Sequence, residues 1–142
     1  MEQEIHPSVF GAEALMETYS DNIILFGPDA LAQLGEELFL SDRKTILLVM
    51  GGASARIPLR MILGSPVFRK PGLNMPRHEN VPPEPDTECV RAIVRTMERE
   101  QPDAVLAVGG GSVMDAAKAA YLSWQTGLDI DCLLYTSDAA DE

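Results

Sequence analysis

The residues best suited to chemistry lie within positions 104–118, which read AVLAVGGGSVMDAAK. An apolar run that is typical of a short strand leads into Gly109, Gly110 and Gly111, and a helical pattern begins at Ser112. Free backbone N–H groups and the positive end of a helix dipole would then meet at a loop without side chains, which suits a phosphate. The alternative is a glycine-rich turn that only joins strand to helix. Because each glycine adds to the entropy cost of folding, a third glycine favours a ligand that approaches the backbone.

The spacing of these glycines excludes two common phosphate-binding motifs. A P-loop needs a lysine and a hydroxyl residue directly after its last glycine, and no lysine stands there. A dinucleotide fingerprint counted from Gly109 would place its third glycine at position 114, which is Met114.

Residues 109–118, GGGSVMDAAK, closely resemble the Gly-Gly-Gly-Ser-x-x-Asp-x-x-Lys signature of iron-containing alcohol dehydrogenases. Three earlier segments, in the order found in that family, extend the resemblance over about residues 22–127. Residues 22–40 resemble its opening strand, glycine turn and first helix, residues 44–56 its second strand and nucleotide loop, and residues 81–85 its Glu-Pro-Asn-Pro turn. The resemblance implies a nicotinamide-dependent oxidoreductase that interconverts alcohols and aldehydes or ketones.

The resemblance also implies how the signature residues act. Gly110, Gly111 and Ser112 match positions that meet the cofactor pyrophosphate, Asp115 matches the signature acid, and Lys118 matches the signature base. An alternative for the last two is an i, i+3 pair on the helix, worth roughly 0.2–0.5 kcal/mol. The residues predicted to bind the cofactor are Gly51, Gly52, Ser54, Arg56, Gly109, Gly110, Gly111, Ser112, Asp115 and Lys118.

The loop after the second strand, residues 51–56 (GGASAR), bears on the choice of cofactor. Many nucleotide-binding folds place an acid there to accept the ribose 2′-OH, and this loop has none. Ser54 and Arg56 would suit a 2′-phosphate, and the loop resembles that of butanol-dehydrogenase-like relatives that favour NADP. We therefore expect NADP(H) rather than NAD(H), the alternative being that Arg56 only solvates the start of a short helix.

The predicted element order is β-α-β-(α)-β-α-β-α, which indicates a three-layer α/β fold with a parallel sheet and right-handed crossovers. By resemblance it is a truncated, Rossmann-like dinucleotide-binding domain covering residues 1–131. Strands are predicted at 22–26, 45–50 (apolar throughout, as for a strand covered on both faces), 73–77 and 104–108. Helices are predicted from Pro28 to about 40, over 57–63, after an Asp86 cap to about 101, and over 112–126 with Gly127 beyond.

The chemistry of the family is expected to lie outside this chain. Family members are more than twice as long, and their second, all-helical domain supplies Asp and His ligands to Fe²⁺ or another divalent metal. Here His6 and His78 are far apart, both are expected to be solvated, and no metal or catalytic residue is predicted. Cys89 is predicted to be a small core residue. The polypeptide alone is expected to lack dehydrogenase activity and to be poorly stable.

The last eleven positions, 132–142, read CLLYTSDAADE and match a common transposon-based sequencing adapter translated in one frame. We expect native sequence to end near Asp131 and the rest to be a non-native tail. The alternative is a natural acidic tail.

The amino-acid composition limits the classes of partner and the cellular location that we expect. The chain has 142 residues and a formal net charge of −11, which argues against non-specific nucleic-acid binding. No apolar run approaches membrane-spanning length. We expect no signal peptide, because the first residues, MEQEIHP, are acidic and contain no apolar h-region. A single cysteine outside the tail fits a reducing, cytoplasmic location. A small alcohol or aldehyde is the expected substrate, and the resemblance implies a homo-oligomeric full-length form.

Two other readings stay open. A sister branch, such as glycerol or glycerol-1-phosphate dehydrogenases or dehydroquinate synthase, has a similar glycine loop but often another residue where Ser112 stands. A free-standing nucleotide-binding module without catalysis is the other. Glu84 departs from the family because an Asn near the cofactor usually occupies its place, so Glu84 is either solvated or changes that contact.

Overall fold

The structure, a computed structural model, describes residues 25–40 and 42–133. Three parallel strands form its sheet in the order β2-β1-β3, with β1 at Ile46–Met50, β2 at Arg77–His78 and β3 at Ala104–Val108. β1 lies in the centre and pairs with β3 along its whole length. Of the strand predicted at 22–26, residues 22–24 lie outside the described part, and residues 25–26 are not in a strand.

The described helices occupy the predicted places with shifted ends. They are α1 at Ala30–Leu40, α2 at Arg56–Gly64, α3 at Thr87–Glu100 and α4 at Gly111–Thr126, with 3-10 turns at Ala53–Ala55 and Pro66–Arg69. The Asp86 carboxylate caps α3 by accepting the Cys89 N–H at 2.8 Å, which lowers the pKa of Asp86. Gly127 ends α4 in the left-handed conformation, with φ of 72°. None of these helices combines the length and the apolar character needed to cross a bilayer.

β1 is buried along its whole length because helices cover both faces of the sheet. Leu47 and Val49 pack in one cluster with α3 and α4, which includes Ile93, Met97 and Ala120. On the other face, Leu48 and Met50 belong to a cluster that includes Ala55, Ile62 and Phe68. The three-layer α/β arrangement with a parallel sheet is therefore confirmed.

The strand predicted at 73–77 is shorter and later than expected. β2 comprises Arg77 and His78, and Asn74 forms only an isolated bridge with Thr45. Pro76 has no N–H, although its carbonyl still accepts from Leu48 at 2.9 Å. The proline therefore weakens the strand at the position where the prediction placed it.

His78 corrects a prediction. It was expected to be solvated, whereas it is half-buried on β2, and its Nδ1 lies 2.8 Å from the Thr96 hydroxyl oxygen on α3. Burial, followed by the nearby charge of Arg99, lowers the pKa of His78 below its usual value. The local sequence, which is rich in proline and charge, gave no sign that α3 would cover this side chain.

Candidate functional site

A cleft of about 530 Å³ lies at the carboxyl ends of the three strands. Its walls are residues 51–53 after β1, residues 80–83 after β2 and residues 110–113 after β3. The chain runs from β1 outward to β2 and then back past β1 to β3, so the direction of strand succession reverses between β1 and β3. Open α/β sheets bind ligands at this kind of crevice. We call it the carboxyl-end cleft.

The N-terminus of α4 opens onto the carboxyl-end cleft. Gly110 is the N-cap residue, and its carbonyl accepts the Met114 N–H at 3.1 Å. No side chain caps this end, so the first N–H groups of the helix lack the partner that a Ser, Thr or Asp cap would supply. Every residue that lines the cleft is uncharged, so these amides and the helix dipole are its means of attracting an anion.

The three glycines differ in backbone conformation and in the space around an added Cβ. Gly109 has φ of 155°, and an added Cβ would lie 2.8 Å from Cγ2 of Val113. An added Cβ at Gly110 or Gly111 would meet nothing within 4 Å. The turn and its packing thus explain Gly109 alone. The other two leave open space beside the amides, as expected where a ligand approaches the main chain.

Two contacts hold the walls of the cleft together. The Ser112 hydroxyl donates to the Pro83 carbonyl, which links α4 to the loop after β2. The Asn80 N–H donates to the Gly51 carbonyl at 3.3 Å, which links that loop to the loop after β1.

Asn80 is a polar cleft residue that was not among the predicted site residues. Its φ of 66° lies in the left-handed region, which asparagine tolerates better than most residues. An asparagine directly before the Val81–Pro83 run was the available signal for a turn at this position.

The predicted residues of the loop after β1 lie in and beside the cleft. Gly51 and Gly52 line it. Ser54 lies in the 3-10 turn that follows, and its side chain is outside what the structure describes. Arg56 is exposed and is the first residue of α2.

Asp115 and Lys118 do not line the carboxyl-end cleft. Asp115 lies in a shallow pocket with Pro85 and Asp86, whereas Lys118 lies beside Tyr121 near β3, an edge strand of the described sheet. The two side chains form no salt bridge among the described residues, so the alternative of a paired acid and base is not seen either. Their predicted contact with the cofactor stays a prediction.

Glu84 is exposed and is not among the residues that line the cleft. Within the described ranges, no three His, Cys, Asp or Glu side chains come together as metal ligands would.

The fold defines an α/β protein with a cleft at a glycine loop, and comparison with known proteins gives its family. The sequence profile "Iron-containing alcohol dehydrogenase" matches residues 21–138. The NADPH-dependent butanol dehydrogenase of Clostridium saccharobutylicum is 32% identical over 103 residues, which are 72% of this chain and 25% of that enzyme. The chain belongs to the iron-containing alcohol dehydrogenase family.

Solved structures agree with this assignment. A crystal structure of 1,3-propanediol oxidoreductase superposes with a TM-score of 0.62 at 31% identity, covering 72% of this chain and 26% of that one. The NADH-dependent butanol dehydrogenase A of Thermotoga maritima gives a TM-score of 0.59 at 29% identity, over 70% of this chain and 27% of that one. The chain thus spans about a quarter of the length of the relatives it matches.

Proposed function

We propose that the carboxyl-end cleft binds the diphosphate of a nicotinamide dinucleotide. The observation that carries the proposal is the open space at Gly110 and Gly111 beside the uncapped N-terminus of α4. In the proposed complex, the N–H groups of Gly111 and Ser112 donate to the diphosphate, and the loop at Gly51 and Gly52 forms the opposite wall. Gly109 supports this arrangement by shaping the turn.

The whole protein is proposed to transfer hydride between NAD(P) and an alcohol or aldehyde, as the names of its relatives suggest. Residues 1–131 would supply the dinucleotide-binding part, and residues 132–142 would be the non-native tail. A bound divalent metal would supply polarisation of the substrate oxygen, and its ligands are proposed to lie outside the described residues. The protein would act in the cytoplasm on small molecules, and its full-length form would be a homo-oligomer.

Ser54 and Arg56 are proposed to favour NADP over NAD. No acid stands in residues 51–56 to repel a 2′-phosphate, and Arg56 adds a positive charge at the start of α2. The names of the relatives do not decide the matter, since one is NADPH-dependent and another NADH-dependent. The loop of this chain is therefore the basis of the proposal.

The test is nucleotide binding by the chain itself, measured by calorimetric titration with ADP, which carries the diphosphate. Gly110→Ala places a methyl group in the open space of the cleft, where it contacts no protein atom. We expect it to weaken ADP binding at least about tenfold, the loss expected for one charge-assisted hydrogen bond, without lowering the unfolding temperature.

Gly64→Ala is the matched control, because an added Cβ there also meets nothing within 4 Å and the residue lies at the far end of α2. It should leave the affinity for ADP unchanged. Failure of the original chain to bind ADP, or equal affinity in the Gly110→Ala variant, would contradict the proposed function.

A further inference from the structure

Arg56 and Arg60 on α2 stand apart from the other arginines of the chain. Both are exposed, and neither side chain forms a hydrogen bond or an ion pair within the described ranges. The other arginines either donate to a backbone carbonyl or pair with a carboxylate: Arg43, Arg69, Arg77, Arg91, Arg95 and Arg99. A shortage of acids does not explain the difference, since the chain has 22 acids for 11 bases.

The position of the two arginines is electrostatically unfavourable without a ligand. They are four residues apart on one helix, and like charges at that spacing repel. Arg56 also opens the helix, where the dipole disfavours a cation. α2 has no acidic residue in its first turn to offset these effects. A bound anion would turn the same arrangement into a favourable one.

Helix geometry inclines both side chains towards the N-terminus of α2. α2 begins just after the loop that follows β1, so its N-terminus lies beside the carboxyl-end cleft. Helical side chains lean towards the N-terminus of their helix, so Arg60 leans towards Arg56, about 6 Å away between Cβ atoms. One guanidinium group can donate two parallel hydrogen bonds to the oxygens of a phosphate. Two guanidinium groups can therefore bind one phosphate dianion from two sides.

We propose that Arg60 is a further specificity-determining residue, which binds the 2′-phosphate of NADP together with Arg56. This inference rests on the proposed function, because it needs the dinucleotide to lie in the carboxyl-end cleft with its ribose near α2. NAD has a neutral hydroxyl at that position, so Arg60 would contribute little to its binding. The arginine pair would thereby discriminate between the two cofactors.

The experiment compares 2′,5′-ADP with 5′-ADP as ligands of the full 142-residue chain. Affinities are measured by calorimetry at fixed ionic strength, and the unfolding temperature is measured alongside. Arg60→Gln should weaken binding of 2′,5′-ADP on the order of tenfold, as for one charge-assisted bond, and should leave 5′-ADP unchanged. Because it removes a like-charge repulsion, it should not lower the unfolding temperature of the free chain.

Arg95→Gln is the matched control, since it also removes one positive charge from an exposed helical arginine, which pairs instead with Glu88. It should leave both affinities unchanged. If 2′,5′-ADP binds Arg60→Gln as tightly as the original chain, or if Arg95→Gln weakens it equally, the inference is overturned while the proposed function stands. Absence of binding by both nucleotides to the original chain would overturn the proposed function and this inference with it.

Discussion

At the scale of single residues, the three consecutive glycines differ, because the fold requires Gly109 whereas Gly110 and Gly111 are proposed to serve binding. Gly109 alone has a positive φ, and it alone would bring a side chain against Val113. Gly110 and Gly111 have no such constraint, and their lack of a side chain is accounted for by the ligand proposed above. Substitutions should therefore separate stability from binding within three consecutive residues.

Gly109→Ala should destabilise the chain by about 1–3 kcal/mol, since it combines a left-handed backbone with a contact that forces Val113 to move. Urea denaturation at neutral pH measures the change in the free energy of unfolding. Gly111→Ala serves as its comparison and should stay within about 0.5 kcal/mol of the original chain. Equal losses of stability in the two variants would show that a side chain is no more strained at Gly109 than at Gly111.

His78 is a second residue whose surroundings give it a measurable property. Its ring is half-buried between β2 and α3, and the Thr96 hydroxyl next to Nδ1 donates in turn to the Ala92 carbonyl at 3.1 Å. Burial and the charge of Arg99 favour the neutral ring. Because the pKa is lowered in the folded state, the unfolded chain takes up the proton first. Stability should therefore fall as pH drops below about 6.5 and level off once pH has passed the folded pKa.

An NMR titration of the folded chain should give His78 a pKa below the value measured for it in urea. Arg99→Gln removes the positive charge that adds to the effect of burial, so it should raise the folded pKa towards its usual value. Arg95→Gln, on the same helix, is the control and should not move it. A folded pKa equal to the one in urea would mean that the ring is more hydrated than its position between β2 and α3 indicates.

The glycine loop could be predicted from the sequence, whereas the surroundings of Asn80 and His78 could not. A glycine run between an apolar strand and a helix has one common geometry, so the loop could be predicted from its neighbours. Asn80 and His78 depend on how a proline-rich connection packs against distant elements, and local patterns carry no such information. Asp115 and Lys118 were placed by resemblance, and the helix turns them towards other surfaces than the cleft.

At the scale of elements, an ion-pair network joins α3 to the segment after α4. Arg91 donates to Asp129 through Nε at 3.1 Å and Nη2 at 3.0 Å, and to Asp131 at 2.6 Å. These bonds lower the pKa of Asp129 from 3.8 to about 2. The connection complements the apolar contact that Ile130 makes with the core.

The network predicts how stability responds to acid. Because the pKa of Asp129 is depressed in the folded state, its contribution is fully present above the unfolded value of 3.8 and is lost as pH falls towards 2. Asp129→Asn should lower the free energy of unfolding at neutral pH and flatten its dependence on pH in that window. Urea denaturation at several pH values measures both effects.

Asp115→Asn is the control, since Asp115 is exposed and has no salt bridge within the described part. It should keep the pH dependence of the original chain. An unchanged acid limb in Asp129→Asn would show that the bonds to Arg91 do not persist in solution.

The strands and helices differ in how well the sequence predicts them. β1 was predictable because a short, continuously apolar run is typical of a strand covered on both faces, and the Asp86 cap marked the start of α3. The bounds of β2 were predicted wrongly, because its pairing with β1 at Leu48 and Val49 is a long-range property that Pro76 obscures.

At the scale of the whole molecule, the two edges of the described sheet differ. β2 is two residues long, follows Pro76 and carries an ion pair between Arg77 and Glu79, all of which discourage pairing with another strand. β3 is five residues long and apolar, and it is only partly covered over residues 104–107. Met61 on α2 and Met114 on α4 flank it on the two faces, with 59% and 43% of their surfaces exposed.

The β3 edge of the described sheet predicts self-association of the purified chain that grows with concentration. Met61→Lys combined with Met114→Lys places charges on both sides of β3 and should shift the chain towards monomer in sedimentation velocity runs. Leu128→Lys is the control, because Leu128 is 49% exposed and lines neither of the two pockets beside β3. Equal dissociation by the control would point to net charge as the cause.

The difference between the two edges also sets the stoichiometry of any such contact. A sheet with one edge strand that can pair joins a single neighbour. Once two copies pair through β3, the remaining edge of each described sheet is β2, which disfavours further pairing. Growth should stop at the pair, so the material would accumulate as a discrete species and not as fibrils.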